Sequence, residues 1–215
     1  MAIASGELQQ IFLLIADETA KNRDRLCELD GVIGDGDHGL AMDTGWQAAS
    51  KAVLQLDEND VSPTALFNIA AKAFLNAVGA SSGPLYATAF MRAGTAVKDK
   101  HVLSDDDFLI AFSAMAQGIQ DRGKAEIGEK TMIDAWKPAA DAATVARGTG
   151  ANVSACLEAA VRAARDGCEA TRGMVAAKGR ASRLGDRAIG HIDPGAASAV
   201  IIIEAMSAFL ARHDG

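Results

Sequence analysis

Apolar residues recur at three- and four-residue spacing through most of the chain, which predicts helices near 5–28, 39–56, 63–78, 84–99, 105–121, 131–147, 152–173 and 194–212. None of the gaps needs a strand, so the expected class is all-α. Three prolines follow a plausible cap or turn residue where a first helical turn would begin: Ser62-Pro63, Ser82-Gly83-Pro84 and Asp193-Pro194. Pro138 falls inside the sixth segment and should kink it or mark its true start. Ser104 followed by Asp105, Asp106 and Asp107 places a cap and negative charge at the opening of the fifth, where the helix dipole favours anions. No internal repeat, low-complexity tract or linker supports a domain boundary, so residues 1–215 are expected to form one domain.

Composition adds that this is an ordinary soluble domain. The chain has 215 residues, 49% of them hydrophobic, enough to fill a sizeable core. Aromatics are only 5%, which favours close-packed helices over sheets. A net charge of −7 argues against a nucleic-acid surface. Cys27, Cys156 and Cys168 are odd in number and lack CxxC spacing, so they read as buried small hydrophobes in a reducing cytosol. The run from Ile11 to Ala16 is too short for a membrane span, the run from Val200 to Ile203 is interrupted by Glu204, and no export or anchoring signal is visible.

Candidate chemistry begins at Asp30-Gly31-Val32-Ile33-Gly34-Asp35-Gly36-Asp37-His38-Gly39. Hard divalent cations take oxygen ligands, and Mg2+ is held by a few carboxylates plus phosphate oxygens and water. Two carboxylates roughly 5 Å apart repel by about 3 kcal/mol at an effective dielectric of about 20. Three converging ones would take up protons or a metal. The glycines allow the tight backbone that convergence needs. A solvated turn is the alternative reading. An EF-hand fits poorly, because its twelfth-position acid would be Trp46.

Three further stretches stand out. The small residues Gly79-Ala80-Ser81-Ser82-Gly83-Pro84 lead into a helix, where free N–H groups suit a phosphate, although tight packing explains the same pattern. The stretch from Gly118 to Ala125 nearly matches a P-loop but fails, because Ala125 replaces the Mg2+-binding hydroxyl and a helix precedes it. The wider stretch 122–132 is a polar loop suited to a nucleotide, a partner or mere connection. The cations Lys178, Arg180, Arg183 and Arg187 on a glycine-rich connection suit phosphate, since arginine binds it bidentately; a basic surface loop is the alternative.

These segments together resemble the nucleotide-binding L subunits of dihydroxyacetone (glycerone) kinases over almost the full length. The carrying motifs are Asp30…Asp35-x-Asp37-His38-Gly39, Gly79 to Pro84, Arg122-Gly123-Lys124-Ala125, Gly128-x-Lys130-Thr131-Met132, Lys178-Gly179-Arg180-Ala181-Ser182 and Gly190-His191-x-Asp193-Pro194-Gly195. The resemblance implies an antiparallel barrel of eight helices, with ADP or ATP at one end and a pair of Mg2+ ions. It implies Asp30, Asp35 and Asp37 as metal ligands, and His38, Gly39, Leu40 and Ala41 beside the nucleotide. Ser81 and Ser82 would meet phosphate, Gly123 and Met132 would border adenine or ribose, and Arg180 with Asp193, Pro194 and Gly195 would complete the pocket. Arg180 is the candidate catalytic residue. Ala41 departs from the Asn of many relatives.

The implied reaction is phosphoryl transfer by positioning and charge neutralisation. In the family the ketose is held as a hemiaminal on a histidine of a separate K subunit, which also supplies the base, so no histidine here is expected to take that role. The implied partner is that K subunit and, in relatives charged through the phosphotransferase system, a phosphocarrier; a homodimer is a further arrangement, and neither nucleic acid nor membrane is expected. Two other readings compete: a nucleotide-loaded regulatory partner, and the helical kinase domain of fatty acid kinase, disfavoured here because no lipid-binding or linker segment follows. Phosphate source and ketose, dihydroxyacetone or erythrulose, stay open.

Overall fold

The computed structural model describes residues 2–79 and 82–213. Among them, nine α-helices run in order: α1 Ser5–Lys21, α2 Arg23–Ile33, α3 His38–Val53, α4 Pro63–Ala77, α5 Ser82–Ala96, α6 Asp105–Gly123, α7 Ile133–Gly148, α8 Val153–Ala170 and α9 Pro194–His213. The first expected segment divides at Asn22, whose φ of −99° and ψ of 3° step out of the helix, and its second part extends to Ile33. The connection 178–187, expected as a loop, is largely 3-10 turns that run over Arg180–Ala188 and are broken at Gly185. A minimal antiparallel pair, β1 Ala2–Ile3 with β2 Leu103–Ser104, occupies gaps expected to need no strand.

Eight of the helices close into a ring in the order α1, α3, α4, α5, α6, α7, α8, α9 and back to α1, while α2 packs outside it against α3 and α9. Neighbours alternate in direction, with the N-termini of α4, α6 and α8 at one end and those of α3, α5, α7 and α9 at the other. The eight-helix barrel is therefore present, and it is filled. Trp46 on α3 meets Phe12 of α1, Phe74 of α4 and Tyr86 and Phe90 of α5 at ring separations of 5.4 to 5.9 Å. Phe112 and Trp136 form a second pair at 5.6 Å. Only a void of about 20 Å³ is left among Leu8, Phe12, Phe67 and Met206. Residues 194–212 are long and apolar enough to cross a membrane, but 72% of that window is buried inside the barrel, as a core wall requires.

Alanine-rich faces let backbones approach closely. Pro138 lies inside α7 without ending it. Proline has no N–H to return to the Asp134 carbonyl, and α8 packs its Gly167 against that same carbonyl, where a Cβ would collide. Cys156 and Cys168 are buried as expected, whereas Cys27 is only half-buried, since α2 lies outside the ring. Burial pushes the Cys168 thiol up to about 11, which makes it inert.

Caps are distributed unevenly. At the end carrying the N-termini of α4, α6 and α8, the side chains of Ser62, Ser104 and Asn152 accept from Ala65, Asp107 and Ala155. At the other end, the N-cap residues of α3 and α7, Asp37 and Met132, make no such bond.

Candidate functional site

That second end holds a cavity of about 800 Å³. It lies where α3, α5, α7 and α9 begin and where α4 and α6 finish, so four helix N-termini face one space and favour an anion within it. The loop between α2 and α3 forms one wall. Asp30 sits in the last turn of α2, buried, and its Oδ2 accepts the backbone N–H groups of Asp37 at 3.0 Å and His38 at 3.2 Å. Gly36, with φ of 78°, turns the chain so that this return is possible. Side-chain oxygens of Asp30, Asp35 and Asp37 thereby come within 4.8 Å of one another, with Asp35 and Asp37 exposed.

Three hard oxygen donors at that spacing suit a divalent cation. Their charge is only partly compensated. Arg180 reaches across the mouth from the α8–α9 connection and its Nη1 donates to the Asp35 carboxylate, leaving Asp30 and Asp37 without an ion-pair partner among the described residues. The basic connection therefore touches the acidic loop through Arg180.

Of the residues expected at the site, Asp30, Asp35, Asp37, His38, Leu40, Ala41, Ser82, Gly123, Met132, Arg180, Asp193, Pro194 and Gly195 all line the cavity. Gly39 is close by but serves packing: it is buried, and a Cβ there would strike the Arg23 carbonyl of α2. Ser81 lies outside the described residues. Leu85, Ile119, Ile133 and Ala125 add apolar lining, and Arg122, Thr131 and Lys178 add polar groups.

Other contributors were not foreseen. Ser198 Oγ lies 2.9 Å from His38 Nε2. Asp134 accepts from the backbone N–H groups of Gly128 at 2.6 Å and Thr131 at 2.7 Å, holding the turn into α7. Lys130, named only as part of a motif, is buried, and its Nζ donates to the carbonyls of Thr171 and His191. Short side chains after the motif glycine, and an acid four residues after Lys130, were the faint sequence signals.

Burial holds two of the site's groups, His38 and Asp193, away from charge. It pulls His38 down to about 4, against the opposing pull of Asp30. It pushes Asp193 up to about 7, although the Ala196 N–H donated to its carboxylate favours the charged form. Between about pH 4 and 6.5 the unfolded chain protonates His38 and the folded chain does not, so this group adds stability as pH rises. Asp193 acts oppositely: from about 4 to 7 the folded chain keeps a proton that the unfolded one releases, so stability falls. Each full effect is on the order of 3 to 4 kcal/mol. The urea midpoint of the unmodified, metal-free chain should thus be nearly flat from pH 4.5 to about 6.5. In His38→Gln it should fall with pH and in Asp193→Asn it should rise; three parallel profiles would refute the assignment.

Residues 32–208 match the family model described as the DAK2 domain. The chain is 38% identical over 190 residues to "PEP-dependent dihydroxyacetone kinase 1, ADP-binding subunit DhaL" of Listeria innocua, covering 88% of this chain and 89% of that protein. It is 33% identical over 207 residues to the corresponding ADP-binding subunit DhaL of Escherichia coli K12, covering 96% and 98%. With L-erythrulose 1-kinase of Mycolicibacterium smegmatis it shares 33% identity over 193 residues, which is 90% of this chain and 34% of that one. Among solved structures, the dihydroxyacetone kinase from C. freundii in complex with AMP-PNP and Mg2+ superposes with a TM-score of 0.74 at 25% identity. That match covers 97% of this chain, which spans about a third of the C. freundii enzyme.

Proposed function

The chain belongs to the DAK2 domain family, as a nucleotide-binding L subunit of dihydroxyacetone kinase, and from that premise we propose that it is one half of a phosphotransferase that presents an activated phosphate to a short ketose held by a separate K-type subunit. We take residues 1–215 as one L-type domain. The observation that carries the reading is the convergence of three carboxylates at the mouth of a cavity faced by four helix N-termini. An acid cluster alone would repel phosphate; beside four helix starts it accommodates phosphate only as a metal complex.

The residues divide the work. Asp30, Asp35 and Asp37 would hold Mg2+, a pair of ions in our reading, and the metal supplies neutralisation of phosphate charge. His38, Leu40 and Ala41 at the start of α3, with Gly39 packing that start against α2, and Ser82 at the start of α5, would take the phosphates; Ser81 is assigned the same role from the sequence motif. Gly123 and Met132 would border adenine or ribose against the apolar lining, and Asp193, Pro194 and Gly195 would close the opposite side. With Ala at position 41 the nucleotide is held without a side-chain amide there. Arg180 would stabilise charge on the group in transfer, because a cation that takes over Asp35 releases its guanidinium towards the phosphates. The chain supplies no base for the ketose hydroxyl in this scheme; the partner does.

For the phosphate source we infer a retained ADP that is recharged by a phosphocarrier. Relatives that match end to end are named ADP-binding subunits of PEP-dependent or PTS-dependent kinases, whereas the C. freundii enzyme bound to an ATP analogue is about three times the length of the matched region. The test supplies the chain and a K-type partner with dihydroxyacetone or erythrulose, either with Mg-ATP or with phosphoenolpyruvate and the phosphocarrier proteins. Transfer in the second arm with catalytic ADP is expected. Transfer with ATP alone would overturn the recharged-ADP mode, and failure with both ketoses would favour a regulatory role.

Arg180→Ala should lower kcat by about 100-fold while changing ADP affinity by no more than about threefold, since its charge acts mainly on the transition state. Arg183→Ala and Arg187→Ala should change kcat far less. Normal turnover by Arg180→Ala with its partner would remove the role assigned to it.

A further inference from the structure

Between α8 and α9 the chain leaves the barrel at Thr171 and returns at Asp193, and the lobe between them carries Arg180. The two strands of its neck are joined by hydrogen bonds: Gly190 N–H to the Arg172 carbonyl at 2.8 Å, Arg172 Nη1 to the Gly190 carbonyl at 2.9 Å, and Asp193 N–H to Thr171 Oγ1 at 2.9 Å. Beyond the neck, the lobe meets the rest of the protein through Ala177 N–H on the Glu129 carbonyl at 3.0 Å, Lys178 beside Glu129 at 3.7 Å, Arg180 on Asp35, and the packing of Arg180–Ala188 beside α2, with Ala176 and Ala188 buried. Most of residues 178–187 are exposed. The position of the lobe therefore depends on how its neck is held.

Lys130 spans that neck from a third connection, the turn into α7. Its side chain is 1% exposed, and Nζ donates to the Thr171 carbonyl at 2.6 Å on the outgoing strand and to the His191 carbonyl on the returning one. Two observations indicate that the amine, not the space it fills, is what is used. First, Lys130 has φ of 60°, a left-handed backbone that is unfavourable for a residue with a long side chain and that glycine would adopt without strain. Second, a buried ammonium needs acceptors, and here the Thr171 and His191 carbonyls face it from the two strands of the neck while Asp134 fixes the turn that carries it.

We infer that Lys130 is a positioning residue: its ammonium staples the neck of the Arg180 lobe and so sets both Arg180 over the carboxylates and Asp193 at the start of α9. A methionine in its place retains much of the volume but leaves two carbonyls without a donor, so the neck opens. Any consequence for turnover rests on the phosphoryl-transfer reading above; lobe placement does not.

The experiment uses the full chain without nucleotide. Lys178, Arg180, Arg183 and Arg187 make the lobe a trypsin target, and amide hydrogen exchange over residues 174–190 reports its order directly. In Lys130→Met, cleavage within 178–187 and exchange across 174–190 should both accelerate at least about tenfold, with exchange in α3 to α6 unchanged. Lys130→Gln, which keeps a shorter donor, should fall between. Arg180→Ala, with the neck intact, should retain slow exchange at 189–193. A folded Lys130→Met or Lys130→Gln protein with unchanged lobe cleavage and exchange would overturn the inference. So would loss of cooperative folding in both variants, which would assign Lys130 to barrel stability instead.

Discussion

Asp37→Asn is expected to abolish the Mg2+-dependent stabilisation of the chain by ADP while leaving the apo protein folded. At a Mg-ADP concentration about 100 times its dissociation constant, binding to the native state alone adds about 2.7 kcal/mol. In a domain of this size that raises Tm by roughly 5 to 10 °C. ADP without Mg2+ should give little of this shift, because the carboxylates then repel the phosphates they face. Asp37 is exposed and makes no capping bond, so its loss removes a ligand and nothing from the core. The apo Tm of the variant should match or exceed that of the unmodified chain, since one of three crowded charges is gone. Asp35→Asn should behave similarly and also unfasten Arg180. An equal Mg-ADP shift in the unmodified and Asp37→Asn proteins would sink the metal assignment.

The second large effect is expected from the partner. The chain alone, with Mg-ATP or a phosphocarrier system, should bind nucleotide and phosphorylate no free ketose above background. In this reading the polar groups that line the cavity are taken up by metal and nucleotide, and the remaining lining, Leu85, Ile119 and Ile133 among it, is apolar and suits no second small polar molecule. Effective molarities for well-oriented groups reach roughly 10⁵ M or more, so holding the ketose on a docked subunit should restore transfer by at least about a thousandfold. Ketose phosphate, measured for chain alone, K-type partner alone and the mixture, checks this. Product from the chain alone would overturn the half-enzyme reading.

Local order in sequence explains what could be read from it. The helices were legible because their periodicity and their caps, such as Ser62-Pro63 and the Ser104 to Asp107 box, lie within a few residues of each helix start. The division at Asn22 was not, because apolar spacing continues from α1 into α2 and no glycine or proline marks the break. The acid loop was legible since Asp30, Asp35 and Asp37 are neighbours in sequence as well as in space. Ser198 and Lys130 were missed as working parts for the opposite reason: Ser198 meets His38 across 160 residues, and Lys130 reaches carbonyls 41 and 61 residues away. A lysine in a polar loop carries no local mark of burial.

The closed ring also has a parity. A circle of helices in which every neighbour points the opposite way exists only for even numbers; an odd member would force two adjacent helices to point alike and would turn one N-terminus towards the wrong end. The chain has nine α-helices among its described residues, and α2 is the one set outside the circle, where it supplies Asp30 instead. Growth or loss within such a ring is therefore open only to helical hairpins, two at a time. A single added helix must stay on the periphery, as α2 does, or two neighbours would point alike and the alternation of N-termini around the ring would fail.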